Sequence, residues 1–360
     1  MNIREENLEE ILEAVRPLDE AWLEKARART AELLMPMRAL GRIHELSEQL
    51  CAIQESLEPS IARKAVVVMA ADHGVAVDGV TAYPQAVTEA MVRTFLSGGA
   101  GINVVSRLVG AAVCVVDMGM IADMDPVSTE EGTLLIRKIG KGTRNLSRES
   151  AMTQQEARDA VYAGFRVASE LIESGVDILA TGDMGIGNTT SAAAIGTVIT
   201  GIAVQDMAGR GAGVDDAGYR RKQEAIARGI ALNSPVREDP IDVLAKVGGF
   251  EIGGIAGCVL AAAYHRKPVV IDGFISTAGA LLARGLSPHV TGYLFAGHCS
   301  AEKGHHSMLR HLGLEPILDL GMRLGEGTGA ALAMGILEAA TRVFREMTTF
   351  KEAGLPLTSP

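Results

Sequence analysis

A single acid, Glu326, lies in a glycine-rich turn with the sequence LGEGTG at residues 324–329. The stretch before the turn, 315–320, is typical of a strand, and residues 328–344 after it have the apolar spacing of a helix. An acid at a helix N-terminus can simply stabilise the helix, because the dipole favours its charged form. In an apolar cleft it can instead act as a general base, since desolvation raises its basicity. The glycines would let a planar substrate approach it closely.

A second glycine-rich stretch, ATGDMGIGNTTSAAAIG at residues 180–196, follows a strand pattern and opens a helix pattern. Its glycines let backbone N–H groups approach a ligand, while Asn188 and Thr189 can cap the helix and donate hydrogen bonds. This chemistry suits a phosphate at a helix N-terminus. No Gly-Lys-Ser/Thr follows, so hydrolysis of a nucleoside triphosphate has no support. The alternative is an ordinary glycine turn with a good cap.

A third glycine-rich turn, in residues 208–226, contains Arg210 and is followed by Arg220, Arg221 and Lys222. A monophosphate often requires one cation besides backbone donors. Arg210 or Lys222 could supply that cation. The alternative is a solvated basic helix face.

Histidines occur in two stretches that raise other chemistry. GHCSAEKGHH (297–306) has three histidines, but their spacing does not match a standard metal site, and we expect no metal there. Its turn at residues 300–302, which begins with Ser300, is a better candidate for polar ligand contacts. Asp72 and His73 resemble a catalytic pair, although a His beside an Asp at a strand end is more often structural.

The residues after this pair provide a possible apolar surface for a flat ligand. Tyr83, Pro84, Val87 and Met91 could line such a slot. Too few aromatic residues lie near any predicted site for a box that stacks an adenine.

Six apolar runs, most of them separated by helical patterns, would position these residues. The runs are 65–74, 111–120, 176–185, 268–279, 289–298 and 315–327. Continuous apolar runs suit strands that are buried on both faces of a parallel sheet. The clearest helix spans 153–175, with a capping box formed by Thr153 and Glu156. Strand–helix alternation predicts an α/β fold with a doubly wound, mostly parallel, Rossmann-like sheet, whose ligands bind at the carboxyl ends of the strands.

Several acids are predicted at those strand ends. They are Asp72, Asp117, Asp183, Asp272 and the Glu326 turn. Both ends of the chain look helical outside the sheet. We therefore predict an α/β domain over 60–310 and a small helical domain from 1–59 plus 311–360, which carries the glutamate turn.

Composition narrows the classes of function. Aromatic residues make up only 4% of the 360-residue chain, and the net charge of −10 without a basic run disfavours nucleic-acid binding. Four scattered cysteines without a C-x-x-C motif suggest reduced thiols in a cytoplasmic protein. The N-terminus does not resemble a signal peptide. The uncharged run 184–205 carries many polar residues, so we expect a buried helix and no membrane span.

Five separated stretches together resemble the nicotinate-nucleotide:dimethylbenzimidazole phosphoribosyltransferase family. They are ADHGVAVDGVTAYPQAVT (71–88), FLSGGAGINVVSR (95–107), GDMGIGNTTSAAA (182–194), GRGAGVDD with RRK (209–222) and DLGMRLGEGTGAALA (319–333). They occur in the family's order, and the last is the most specific.

The resemblance implies transfer of phosphoribose from nicotinate mononucleotide to 5,6-dimethylbenzimidazole, which gives α-ribazole 5′-phosphate and nicotinate during cobalamin assembly. It implies that Glu326 is the general base, that no cofactor or metal takes part, and that the protein is a homodimer. The implied substrate-binding residues are Asp183, Gly185, Gly187, Asn188, Thr189, Gly211, Lys222, Ser300, Thr81, Tyr83, Glu89 and Leu324.

Three positions depart from the family's pattern. Asp183 stands where the family more usually has Glu, Thr81 where Ser is common, and Glu89 where some members have a neutral amide. We expect these differences to affect the choice of acceptor base more than the type of reaction.

Three other functions compete with this one. The first is transfer to another base, such as a phenol or a purine, and the second is a nucleotide-sensing module without catalysis. The third, a dinucleotide-dependent dehydrogenase, is rejected because the first strand ends in AADHGV and lacks the G-x-G-x-x-G motif.

Overall fold

Eight strands form one sheet in the computed structural model, which describes residues 8–356. The strands are β1 (Lys64–Ala71), β2 (Ala111–Gly119), β3 (Val127–Ser128), β4 (Thr133–Ile136), β5 (Ile178–Met184), β6 (Val269–Ile271), β7 (Leu294–His298) and β8 (Pro316–Leu318). Their order is β3-β4-β2-β1-β5-β6-β7-β8, and only the β3–β4 pair is antiparallel. The predicted α/β fold with a mostly parallel, doubly wound sheet is confirmed.

The strand order reverses between β1 and β5. From β1 the chain adds β2 and β4 on one side, and from β5 it adds β6 to β8 on the other. Such a reversal opens a crevice at the carboxyl ends of the strands, where ligands bind in this class of fold.

Burial explains why the central strands were recognisable in the sequence. All eight residues of β1 are buried, and the seven that follow Lys64 are apolar on both faces of the strand. The strands β1, β2 and β5 coincide closely with predicted runs. The runs at 268–279, 289–298 and 315–327 contain shorter strands than expected, because helical or turn structure occupies much of each run.

Fourteen α-helices surround the sheet within the described residues. They are α1 (Leu8–Ala14), α2 (Glu20–Glu32), α3 (Arg42–Gln54), α4 (Ala86–Leu96), α5 (Gly101–Val109), α6 (Gln154–Glu173), α7 (Asn188–Thr200), α8 (Val204–Met207), α9 (Asp216–Asn233), α10 (Pro240–Val247), α11 (Phe250–Tyr264), α12 (Phe274–Leu286), α13 (His305–Leu312) and α14 (Thr328–Glu346).

Two helix predictions are confirmed in detail. Helix α6 begins after Thr153, whose hydroxyl accepts a hydrogen bond from the N–H of Glu156 while the glutamate carboxylate accepts one from the N–H of Thr153. The uncharged run 184–205 contains α7, which is largely buried. Within residues 8–356, no helix is long and apolar enough to cross a membrane.

Helices from both ends of the chain pack together. Phe344 of α14 lies in a buried cluster with Ala26 of α2 and Cys51 of α3, and an isolated bridge joins Leu33 to Thr349. Strand β8 lies C-terminal to residue 310 but pairs with β7. The division of the chain into a domain at 60–310 and a terminal helical domain stays a prediction, and part of 311–360 extends the sheet.

Candidate active site

A cavity of about 430 Å³ opens at the carboxyl ends of β5 to β8. It collects residues from the strand ends, the glycine-rich turns and one face of α4. Its lining consists of Tyr83, Val87, Met91, Asp183, Met184, Gly185, Ile186, Asn188, Thr189, Gly211, Ala212, Gly273, Phe274, Ile275, His298, Ser300, Glu302, Arg323, Leu324, Gly325 and Glu326. The cavity is large enough for a small ligand and is the candidate active site.

Glu326 lies in the wall of this cavity and is only 5% exposed. Its φ is +63°, between Gly325 and Gly327, which also have positive φ. Its Oε2 accepts a hydrogen bond of 3.1 Å from the backbone N–H of Ile102, which orients the carboxyl group. Burial raises the pKa of Glu326, while the hydrogen bond from Ile102 opposes this. A buried acid with a raised pKa in a cleft is suited to general-base chemistry.

Two residues behind Glu326 fix its turn. Gly182 of β5 lies directly against it, since a Cβ added at Gly182 would overlap the backbone oxygen of Glu326. The buried carboxylate of Asp272 accepts hydrogen bonds from the N–H groups of Gly327 and Ala330. Asp272 therefore caps α14 from outside the helix and holds the turn against the sheet.

Asp183 provides a second buried acid beside the Glu326 turn. A Cβ at Gly325 would lie 3.3 Å from Asp183 Oδ1, and Asn188 donates a 2.8 Å hydrogen bond to Oδ2. Burial, together with the charge of Asp272, raises the pKa of Asp183 to about 8. Asp183 is therefore mostly protonated at neutral pH and can donate a hydrogen bond into the cavity, whereas an ionised acid could only accept one.

The glycine loop after β5 and the turn at Gly211 meet at the other side of the cavity. Helix α7 begins here at Asn188, and both Asn188 and Thr189 line the cavity, so the N-terminus of the helix lies at this side. Lys222 is 1% exposed and donates a 2.7 Å hydrogen bond to Thr189 Oγ1. A Cβ at Gly211 would lie 3.2 Å from Lys222 Nζ. A helix N-terminus, a hydroxyl and a cation together form a candidate phosphate site.

The alternative cation, Arg210, lies outside this group. Its guanidinium pairs with Asp216 on the surface. The geometry therefore favours Lys222 for the phosphate. Burial lowers the pKa of Lys222 to about 8, while the charge of Glu302 opposes this.

Helix α4 and the segment before it contribute apolar side chains to the cavity lining. Val87 and Met91 are four residues apart and lie on one side of α4, and Tyr83 of the preceding segment also lines the cavity. Leu324 lies at the mouth and is largely exposed.

Besides the buried Lys222 and the surface residue Arg210, four residues that the sequence proposed for ligand contacts do not line the cavity directly. Thr81 and Pro84 precede α4 and are absent from the lining. Glu89 accepts hydrogen bonds from Arg93 at 2.7 and 2.9 Å. Gly187, with a φ of +101°, is the N-cap of α7 and shapes the loop without lining the cavity.

His73 and His305 are structural supports, whereas His298 lines the cavity. His73 is fully buried, with Nε2 2.6 Å from Glu251 and Nδ1 3.0 Å from Ser191 of α7. His305 accepts a hydrogen bond at Nδ1 from the N–H of Ser300, so its Nε2 carries the proton and donates to Thr277. Burial lowers the pKa of His305 to about 3, which keeps the ring neutral. Within residues 8–356, no group of three or more His, Cys, Asp or Glu residues is arranged to hold a metal ion.

Sequence reasoning did not assign several residues of the cavity. Arg323 and Phe274 lie within the predicted runs 315–327 and 268–279, but neither was predicted to contact a ligand. Glu302 was noted only as part of a polar turn. These three residues line the cavity because particular strand ends lie side by side in the sheet, and the sequence around each residue does not reveal that order.

Comparison with known proteins gives a consistent family. A sequence profile described as Phosphoribosyltransferase matches residues 15–355. The nicotinate-nucleotide–dimethylbenzimidazole phosphoribosyltransferase of Roseiflexus sp. (strain RS-1) is 53% identical over 348 residues, which cover 97% of this chain and 98% of that protein. The protein of the same name from Desulforudis audaxviator is 51% identical with the same coverage.

Solved structures agree with these relatives. The crystal structure of the phosphoribosyltransferase of that name from Thermus thermophilus has a TM-score of 0.88 and 45% sequence identity. The match covers 94% of this chain and 99% of that one. The profile match over residues 15–355 includes every residue of the cavity lining.

Proposed function

Because the chain belongs to the nicotinate-nucleotide–dimethylbenzimidazole phosphoribosyltransferase family, we propose that its cavity binds both substrates together, with Glu326 as the general base. The chain transfers phosphoribose from nicotinate mononucleotide to 5,6-dimethylbenzimidazole, which yields α-ribazole 5′-phosphate and nicotinate. The observation that carries the role of Glu326 is its buried carboxyl group in the wall of a cavity that α4 also lines with apolar side chains.

The chemistry requires only one base. The bond between C1′ and the pyridinium nitrogen breaks, its electron pair stays on the nitrogen, and nicotinate leaves without needing a proton. One benzimidazole nitrogen bonds to C1′, and the other nitrogen loses its proton to Glu326. Attack on the face opposite nicotinate converts the β nucleotide to an α product. General-base help of this kind contributes about 10²–10⁴-fold to the rate.

The remaining rate enhancement comes from holding two ligands in register. Lys222 and Thr189, at the N-terminus of α7, bind the phosphate in this proposal. The benzimidazole lies against Tyr83, Val87 and Met91, with its N–H towards Glu326. Fixing the reacting atoms in this way removes much of the entropic barrier to a reaction between two molecules.

The test supplies purified protein with nicotinate mononucleotide and 5,6-dimethylbenzimidazole and follows both products by chromatography. We expect nicotinate and α-ribazole 5′-phosphate in equal amounts. Nicotinate without the α nucleotide would mean that water or another base attacks. The same assay with a phenol and a purine measures the preference for the acceptor.

Glu326→Gln tests the general base and should lower kcat by about 10²–10⁴-fold while the Kd for nicotinate mononucleotide changes little. Glu315→Gln is the matched control, because Glu315 is exposed and its ion pair with Arg42 lies outside the cavity. Unchanged turnover in Glu326→Gln would make Glu326 a helix-end acid.

Three further properties complete the proposal. The protein is cytoplasmic, and its free cysteines support this location. It is also a homodimer, and the exposed apolar side chains of Val104 and Leu108 on α5 support an interface there. Light scattering tests the dimer. The packing of α2, α3 and α14 supports a small second domain built from both ends of the chain.

A further inference from the structure

One buried acid in the cavity has no protein partner. Glu302 is 8% exposed and lines the cavity, yet its buried Oε2 has no hydrogen-bond partner among residues 8–356. Lys222 is near enough for its pKa to respond to Glu302, but the two groups form no ion pair among the described residues. A buried carboxylate without donors is costly, so such a group in a cavity wall points to a donor on the ligand.

Glycine makes room for this carboxylate beside the phosphate site. A Cβ added at Gly209 would overlap Glu302 Oε2, so only a glycine permits the position. Gly209 belongs to the same turn as Gly211, which contacts Thr189 and Lys222. Glu302 therefore lies at the phosphate end of the cavity, whereas Asp183 adjoins the Glu326 turn.

The chemistry of the substrate identifies the missing donor. The phosphate dianion and the nicotinate carboxylate only accept hydrogen bonds, and the pyridinium ring has no N–H. The hydrogen-bond donors of nicotinate mononucleotide are therefore its 2′ and 3′ hydroxyl groups. The ribose that carries them lies between the phosphate and the reacting C1′ atom.

We propose that Glu302 accepts hydrogen bonds from the ribose hydroxyls of nicotinate mononucleotide and selects a ribonucleotide over its deoxy analogues. The inference rests on the proposed function. A carboxylate at this position also faces the positive charge that develops on the sugar as the C1′–N bond breaks. Hydrogen bonds to sugar hydroxyls strengthen in transition states of this type.

The experiment measures kcat/KM for nicotinate mononucleotide and for its 2′-deoxy and 3′-deoxy analogues, in the wild type and in Glu302→Gln. We expect the substitution to lower the value for nicotinate mononucleotide by about 10- to 100-fold, since it removes a charge-assisted hydrogen bond. For at least one deoxy analogue, which lacks the hydroxyl that Glu302 binds, Glu302→Gln should lower kcat/KM only slightly. Asp206→Asn is the charge-matched control, because Asp206 is exposed and pairs with Lys303 outside the cavity.

The outcomes separate the inference from the proposed function. If the wild type releases no nicotinate from nicotinate mononucleotide and 5,6-dimethylbenzimidazole, the proposed function fails. If the wild type is active and Glu302→Gln weakens all three substrates equally, or none, the inference alone is overturned. Loss of discrimination in Asp183→Asn instead would assign the hydroxyls to Asp183 and overturn it as well.

A second variant covers failure of Glu302→Gln to fold. Gly209→Ala displaces the Glu302 carboxylate without removing it. Like Glu302→Gln, it should reduce the preference for nicotinate mononucleotide over its deoxy analogues. Unchanged discrimination in a folded Gly209→Ala protein with reduced activity would contradict the inference.

Discussion

The buried amine of Lys222 should make substrate binding sensitive to alkaline pH. Desolvation lowers its pKa to about 8, so the charged form that attracts a phosphate is lost as the pH rises through this value. With that pKa, about nine-tenths of the amine is protonated at pH 7 and about one-tenth at pH 9. The substrate phosphate is already close to a dianion over this range. The KM for nicotinate mononucleotide should therefore rise about eight- to tenfold between pH 7 and pH 9.

The assay follows nicotinate release at saturating 5,6-dimethylbenzimidazole from pH 6.5 to pH 9.5. In Lys222→Arg the guanidinium stays protonated, so the rise in KM should vanish even if binding is weaker overall. Asp183 also has a pKa of about 8, and its ionised carboxylate would repel the substrate phosphate. Asp183→Asn should keep the rise. An equal rise in Lys222→Arg would refute the assignment of the phosphate to Lys222.

Three further substitutions test other parts of the site. Gly182→Ala would force a Cβ into the backbone of Glu326 and should lower kcat at least tenfold and destabilise the protein by about 1–3 kcal/mol. Gly335→Ala, in the more open middle of α14, is the control and should retain activity in the same rate and melting assays. Met91→Ala should raise the KM for 5,6-dimethylbenzimidazole several-fold without changing that for nicotinate mononucleotide; a change in the latter alone would place the base elsewhere. Asp183→Asn should raise Tm at pH 8 by about 5 °C and leave it nearly unchanged at pH 4. The raised pKa means that the folded protein keeps a proton that the unfolded chain loses between about pH 4 and pH 8, so wild-type stability falls across that window. Equal Tm differences at the two pH values would contradict this account.

The sequence was most informative where a local pattern has a local cause. The run that became β1 is apolar at nearly every position because both faces of the strand are covered. The capping box at Thr153 predicted the start of α6, because both hydrogen bonds join residues three apart. The turn at Glu326 was recognisable because three successive residues with positive φ require glycine at most of them.

The pattern could not show contacts that depend on the order of the strands. The two-residue β3 and the four-residue β4 are too short to give a periodic signal, and neither was predicted. The cap that Asp272 provides for α14 joins residues more than fifty positions apart. The burial of Lys222 under Thr189 likewise follows from the packing of α9 on α7. Sequence placed both residues near the site, but only the folded chain fixes what each one touches.

The separate origin of the two walls of the cavity has a practical consequence. The acids follow strand ends and the phosphate site comes from helices α7 and α9, whereas the apolar slot is formed by helix α4 and the short segment before it. A small library at Tyr83, Val87 and Met91 can therefore change the shape of the acceptor pocket while the groups that break the glycosidic bond stay in place. The enzyme should accept redesign towards new α-linked nucleotides more readily than towards a new ribosyl donor.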